Sequence, residues 1–157
     1  MNDLYDTDVL LWSEHQAALL RRRAAGELVN DTELDWPNIA EEIESVGNEQ
    51  LHAVESFLVQ VLLHDLKAEA WPLSRDAPHW RAEARRFRGD AASRFVPSMR
   101  QRIDLDRIYR RALRAMPDTI DGLPPLPVQT DMPTLDALLA EDLGWYSERA
   151  GLAASPF

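Results

Sequence analysis

The segment between residues 35 and 70 constrains the fold more than any other part of the sequence, because its apolar residues recur at helical spacing. One face of a helix at about 100° per residue carries Ala40, Ile43, Gly47, Leu51, Val54, Leu58 and Val61. The opposite face carries Glu41, Glu44, Ser45, Asn48, His52 and Glu55. Residues 57–66 are apolar almost all the way round. The pattern predicts a long helix that lies on the surface in its first half and in the centre of a bundle in its second half.

Prolines mark both ends of this helix. Asp35 is a suitable cap, and Pro37 fits the first turn, where a missing N–H is tolerated. The residue before Pro72 is disfavoured in the α region, so we expect the helix to end before Trp71.

The remaining segments predict further helices. We expect them over residues 7–25, from 74 or 76 to 95, over about 97–116, and over 134–143 with Thr134 as cap. Residues 117–133 contain five prolines and one glycine and predict an extended loop. No segment shows the alternation of a strand. The fold class predicted is therefore all-α, an up-and-down helical bundle of four main helices plus a short C-terminal helix, with residues 1–157 forming a single domain.

The charge is unevenly distributed. The chain has a formal net charge of −10, yet residues 75–114 hold twelve arginines and only five acidic residues. A basic middle therefore lies between two acidic ends.

The absence of cysteine excludes disulfides, thiolate metal sites and cysteine nucleophiles. Without a signal-peptide pattern or a long apolar run, we expect a cytoplasmic protein that does not enter a membrane.

Several fragments in order resemble the bacterial family called domain of unknown function 29. They are Tyr5-Asp6-Thr7-Asp8 with Trp12, residues 38–47, residues 62–67 with Pro72, Trp80-Arg81, residues 97–100, residues 108–112 and residues 135–142. The chain departs from the family at Asp65, where leucine is usual, and at Ala68, where tryptophan is usual. The resemblance implies a small all-helical bacterial protein and brings no established activity, substrate or cofactor.

Histidines supply the candidates for metal or acid–base chemistry. Glu49 and His52 have the spacing of half a carboxylate-bridged metal site, but no second such motif exists in the sequence. His64, Asp65 and Lys67 lie in the apolar half of the long helix and are candidate catalytic residues of a metal-dependent enzyme, although a packed histidine is the simpler interpretation. His15, His64 and His79 come from three predicted helices and would form a metal site if they converged. We predict no cofactor.

Tryptophans beside the prolines allow two interpretations. They close the ends of the bundle, or Trp71, His79 and Trp80 line a small aromatic pocket. The sequence contains no Gly-rich phosphate loop and no nucleophile elbow.

The basic middle offers a nucleic-acid hypothesis. Its candidate patch consists of Arg81, Arg85, Arg86, Arg88, Arg100, Arg107, Arg111 and Arg114. The alternative, which we favour because the net charge of −10 repels nucleic acid, is that these arginines pair within the fold or across a homodimer. Their partners would be Glu41, Glu42, Glu44 and Glu55 of the long helix.

The function expected from the sequence is that of a non-enzymatic protein-interaction or self-association module. Leu11 and Leu63 are candidate exposed contacts, together with the short C-terminal helix. A metal-dependent enzyme centred on His64 and nucleic-acid binding through residues 75–114 are the alternatives.

Overall fold

A computed structural model describes residues 3–128 and 131–140 and confirms an all-α chain with four long helices. No β-strand occurs within these two ranges. The helices are α1 (Asp3–Thr7), α2 (Val9–Ala24), α3 (Trp36–Ala70), α4 (Ala77–Arg94), α5 (Leu105–Arg114) and α6 (Leu135–Leu139).

The long helix α3 has the bounds that the prolines predict, whereas two other predicted helices begin later. Asp8 is not helical, and its carboxylate accepts a hydrogen bond from the Leu11 amide at 3.0 Å, so the helix predicted from residue 7 begins at Val9 as α2. The short helix α1 precedes it. The fourth predicted helix begins at Leu105 because Asp104 caps it, accepting from the Arg107 amide at 3.1 Å. The prediction that this helix begins near Pro97 is wrong, since Pro97–Met99 forms a separate 3₁₀ turn.

The short last helix begins where the sequence predicts. The Thr134 hydroxyl accepts a hydrogen bond from the Ala137 amide at 3.2 Å and caps α6. Residues 141–143 of the predicted helix lie outside the described residues.

The chain divides into two compact units, a first unit of Met1–Glu49 and a second unit of Gln50–Phe157. The expectation of a single domain stays a prediction. In the first unit Trp12, Leu19, Leu34 and Ile39 form a buried cluster.

Buried polar groups in the first unit fix the start of α3. The buried side chain of Gln16 donates to the Glu33 carbonyl at 3.1 Å and accepts from the Asp35 amide at 2.9 Å. The Tyr5 hydroxyl donates to the Glu42 carboxylate at 2.7 Å, which raises the pKa of Tyr5 to about 12. These bonds connect α1, α2 and the connector before α3, so the packing of this unit depends on polar contacts as well as on its small core.

The second unit is built around the second half of α3. Val54, Leu58 and Val61 are fully buried there, as the helical wheel predicts, and they belong to a cluster that includes Ala91 of α4 and Ile108 of α5. The wheel is wrong about Glu55, which is buried and accepts a hydrogen bond from Arg107 at 2.7 Å. The charged Glu55 can occupy this buried position because the Arg107 guanidinium pairs with its carboxylate.

A buried ion pair lies inside the second unit. Arg88 of α4 is 1% exposed and donates from Nη2 to the Asp65 carboxylate at 2.9 Å and from Nε to the Leu138 carbonyl at 3.0 Å. The pair therefore connects α3, α4 and α6. It also accounts for an aspartate at position 65, because a buried guanidinium needs an anion beside it.

Asp65→Leu is expected to lower the free energy of unfolding by roughly 3–5 kcal/mol, because the Arg88 charge would stay buried without its carboxylate. The double variant Asp65→Leu/Arg88→Met removes both charges and is expected to recover most of that loss. Urea unfolding followed by circular dichroism measures both. The exposed pair Arg22–Glu27 is the control, and Glu27→Gln is expected to change stability by less than about 1 kcal/mol. Wild-type stability in the single Asp65→Leu variant would contradict the assignment.

Candidate functional site

His64, the centre of the predicted enzyme site, is a partly buried ring held by its own helix. Its Nδ1 lies 2.8 Å from the Gln60 carbonyl oxygen, which can only accept, so Nδ1 carries the proton. The ring packs on Phe87 with 5.5 Å between centroids. Burial lowers the pKa of His64, and the nearby Lys67 adds to that effect, whereas the bond to Gln60 opposes it. This is the geometry of a packed neutral histidine.

The other two candidate catalytic residues have separate contacts. Asp65 is engaged by Arg88, as described above. The Lys67 ammonium lies 4.7 Å from the centre of the Trp80 ring, and burial lowers the pKa of Lys67. Each of the three residues is therefore engaged by a different partner.

The metal hypotheses gain no support. Among residues 3–128 and 131–140, no group of three or more His, Cys, Asp or Glu side chains is arranged to hold a metal ion. His15 and Glu49 lie exposed in the first unit, and His52 and His79 lie exposed in the second.

Of the tryptophans beside the prolines, Trp71 and Trp80 are buried, whereas Trp36 is 46% exposed. Trp71 and Trp80 belong to one cluster with Ala68, Ala70 and Ala77 at the end of α3 and the start of α4. His79, the third residue of the predicted aromatic pocket, is exposed and does not belong to this buried cluster.

Half of the predicted basic patch is paired inside the second unit. Arg86 contacts Glu83 and Asp90, Arg88 contacts Asp65, Arg100 contacts Asp136, and Arg107 contacts Glu55. Arg81 is half-buried and also engaged by other groups. Arg85, Arg111 and Arg114 are exposed and have no ion-pair partner among the residues that the structure describes. Of the four glutamates expected to pair with these arginines, Glu55 does so. Glu42 instead accepts a hydrogen bond from Tyr5, and the other two, Glu41 and Glu44, lie exposed.

An unexpected apolar surface lies on the first half of α3. The wheel assigns Ile43 to the core, but Ile43 is 69% exposed and Val46 is 62% exposed. With Trp36, Ala40 and Gly47, which are also exposed, they form an arc of about 120° that we call the α3 stripe. The same arc carries Val54, Leu58 and Val61 further along the helix, where it is buried.

The predicted contact residues divide between exposed and buried positions. Leu11 is exposed, together with Val9 and Leu10 at the start of α2. Leu63 is half-buried and packs against the core of the second unit, so its expected exposure is wrong. The residues of α3 near Leu63 are apolar on all sides, and a helical wheel gives no clear solvent face there.

Almost all of the net charge belongs to the first unit. Residues 1–49 contain three basic and twelve acidic residues, a net charge of −9, and residues 50–157 contain fourteen and fifteen, a net charge of −1. Four of those acids lie on the first half of α3, where Glu42 and Glu44 flank the α3 stripe and Glu41 and Glu49 lie on the far side of the helix. The high density of glutamates in the first half of α3 was the feature of the sequence that could have indicated that this half is exposed.

The order of these helices and the motifs on them agree with known proteins. The family model described as Domain of unknown function DUF29 matches residues 4–143. The chain belongs to this family. This DUF29 chain is also similar to an alpha-helical protein of unknown function from Rhodospirillum rubrum, whose crystal structure shares 25% sequence identity. The similarity covers 97% of this chain and 98% of that one, with a TM-score of 0.59.

No curated protein matches the sequence significantly. Within the described ranges of this DUF29 chain, no helix has the length and apolar character needed to cross a membrane.

Stability is expected to fall as the pH drops from 7 to 5, in part because of His64. The unfolded residue takes up a proton near its ordinary pKa of 6.5, whereas burial lowers the pKa in the folded chain. The stability that neutral His64 contributes is therefore complete above the pKa of His64 in the unfolded chain. It is lost as the pH falls towards the lower pKa of His64 in the folded chain. His64→Gln is expected to flatten this part of the pH profile, measured by urea unfolding at each pH. His52→Gln changes an exposed histidine of the same helix, and an equal flattening in that control would contradict the role of His64.

Proposed function

We propose that this chain is a protein-interaction module that self-associates, and that the α3 stripe is its binding surface. The observation that carries the proposal is the exposure of Ile43 and Val46 on a helix whose continuation buries the same arc. Covering two such side chains contributes about 1.5–3 kcal/mol each. Exposed apolar side chains bordered by charged residues are typical of a protein contact.

The charge of the first unit selects the partner surface. Two copies of the α3 stripe facing each other would bring together Glu44, which flanks the stripe, from both copies, in units that each carry −9. Such an arrangement is repulsive. The complementary surface must therefore be apolar and basic.

Helix α5 of a second copy offers such a surface. Its exposed residues include Arg110, Arg111 and Arg114, and Leu113 between them is 39% exposed. We propose that the α3 stripe of one copy packs on α5 of the other. A two-fold axis would then create two equivalent contacts and close the assembly as a dimer.

The proposed function requires no cofactor, and we place it in the cytoplasm, where a chain without cysteine has no need of an oxidising environment. An enzyme centred on His64 is less well supported, because the ring packs on Phe87, while Asp65 is paired with Arg88 and Lys67 lies over the Trp80 ring. Nucleic-acid binding would depend on the exposed Arg85, Arg111 and Arg114 alone.

Ile43→Ser/Val46→Ser is expected to raise the dissociation constant of the dimer at least tenfold, about 1.4 kcal/mol, because it removes the apolar part of the contact. Sedimentation equilibrium over a range of protein concentrations measures the constant. Leu28→Ser is the matched control, since Leu28 is 99% exposed in the connector of the same unit and lies off the stripe. A wild-type chain that stays monomeric at millimolar concentration would overturn the proposal.

Reciprocal charge reversal tests the pairing of α3 with α5. Glu44→Arg and Arg111→Glu/Arg114→Glu are each expected to weaken self-association, while an equimolar mixture of the two variants is expected to associate again. In the mixed dimer the reversed α3 meets the reversed α5 and the unchanged α3 meets the unchanged α5. Both contacts are then attractive, so the affinity of the mixture is expected to approach that of the wild type. Added salt is expected to weaken the wild-type dimer. If the arginine variant instead keeps its dimer and loses only salt-sensitive binding of duplex DNA, the nucleic-acid alternative is favoured.

A further inference from the structure

The loop after α5 contains a tight hairpin turn. Asp121 has φ 53° and Gly122 has φ 74°, and Ile120 and Leu123 exchange two backbone hydrogen bonds of 3.1 and 2.9 Å. Positive φ at both central residues is characteristic of a type I′ turn, for which Asp-Gly is a preferred pair. This part of the predicted extended loop therefore has a defined conformation.

Two hydrogen bonds attach this turn to the end of α3. The Trp71 indole donates to the Leu123 carbonyl at 3.0 Å, and the Leu126 amide donates to the Ala70 carbonyl at 2.9 Å. The indole N–H and these backbone groups thus satisfy one another. The loop is held in place without a bound molecule, which means that little further ordering is needed for it to bind one.

Between the end of α3 and this loop lies a cavity of about 390 Å³, which we call the Trp71 cavity. Its size is within the range of small-molecule sites. The walls are formed by residues 70–75 on one side and by Ile120, Asp121, Leu123, Pro124 and Leu126 on the other. Three of its leucines are strongly exposed: Leu73 at 97%, Leu123 at 62% and Leu126 at 55%.

The charged groups of the cavity balance each other. Arg75 and Asp121 both line it and are both exposed, so their opposite charges give the cavity no net charge. Ser74 is the remaining polar side chain, and its hydroxyl already accepts from the Asp76 amide at 3.2 Å. A ligand with a full charge of either sign would meet one repulsive group.

We infer that the Trp71 cavity binds a small uncharged molecule with an apolar body, such as a fused or linked ring system. The apolar body would cover the exposed leucines and contact the Trp71 ring, and a polar end would reach Arg75 and Asp121. The cavity shares no residue with the α3 stripe or with α5. The inference is therefore independent of the proposed self-association.

The test is a fluorescence titration with N-phenyl-1-naphthylamine, an uncharged probe that becomes bright in apolar surroundings. Saturable binding of one probe per chain is expected. Leu73→Asp/Leu123→Asp is expected to weaken it at least tenfold, because two charges then line the apolar walls. Leu28→Asp places a charge on an equally exposed leucine outside the cavity and is expected to leave binding unchanged. Circular dichroism checks that each variant is folded.

Absence of saturable binding, or equal binding by the cavity variant and the control, would overturn the inference. The anionic probe 1-anilinonaphthalene-8-sulfonate tests the ligand class. Binding of that anion at least tenfold tighter than the neutral probe, and its loss in Arg75→Gln, would show that the site selects anions and that the uncharged class is wrong. The titration is repeated with the Ile43→Ser/Val46→Ser variant, whose unchanged binding would separate this site from self-association.

Discussion

The second unit depends on the buried charge of Arg88. The Arg88 guanidinium is removed from water, and such a group is tolerated only where anions and carbonyls surround it. Asp65 and the Leu138 carbonyl meet that need from positions 23 and 50 residues away along the chain. The requirement is directional, unlike apolar contact, so it specifies how α4 is rotated about its own axis relative to α3. It also holds α6, a helix of five residues that has little stability of its own.

Much of this fold could be predicted from the sequence because its strongest signals are local. Prolines and caps gave the bounds of α3 and the start of α6, and the helical period identified Val54, Leu58 and Val61 as core residues. The capping aspartates Asp8 and Asp104 each stand directly before the helix that they cap, but the sequence also offered earlier starts at Thr7 and Pro97. The pairing of Asp65 with Arg88 could not be predicted, because it requires knowledge of which helix faces meet.

The surfaces were harder to predict than the core for a related reason. Periodicity shows which residues share a face but not whether another element covers that face, so Ile43 and Val54 have equivalent positions on the wheel and opposite environments. The Asp121-Gly122 signal for a tight turn was present within a proline-rich segment that also reads as extended. The cavity beside this turn also depends on Trp71, which is far away in the sequence.

One turn of α3 has a consequence for how the chain can be divided. From Val46 to Gln50 every residue is exposed, so this turn is kept helical mainly by its own backbone hydrogen bonds. It contains Gly47, and a glycine inside a helix destabilises it by about 1 kcal/mol relative to alanine. Proteases need a locally unwound substrate, and such opening is easiest where side-chain packing is absent. Within α3, limited digestion should therefore cut this turn first and release fragments that each keep one of the two cores.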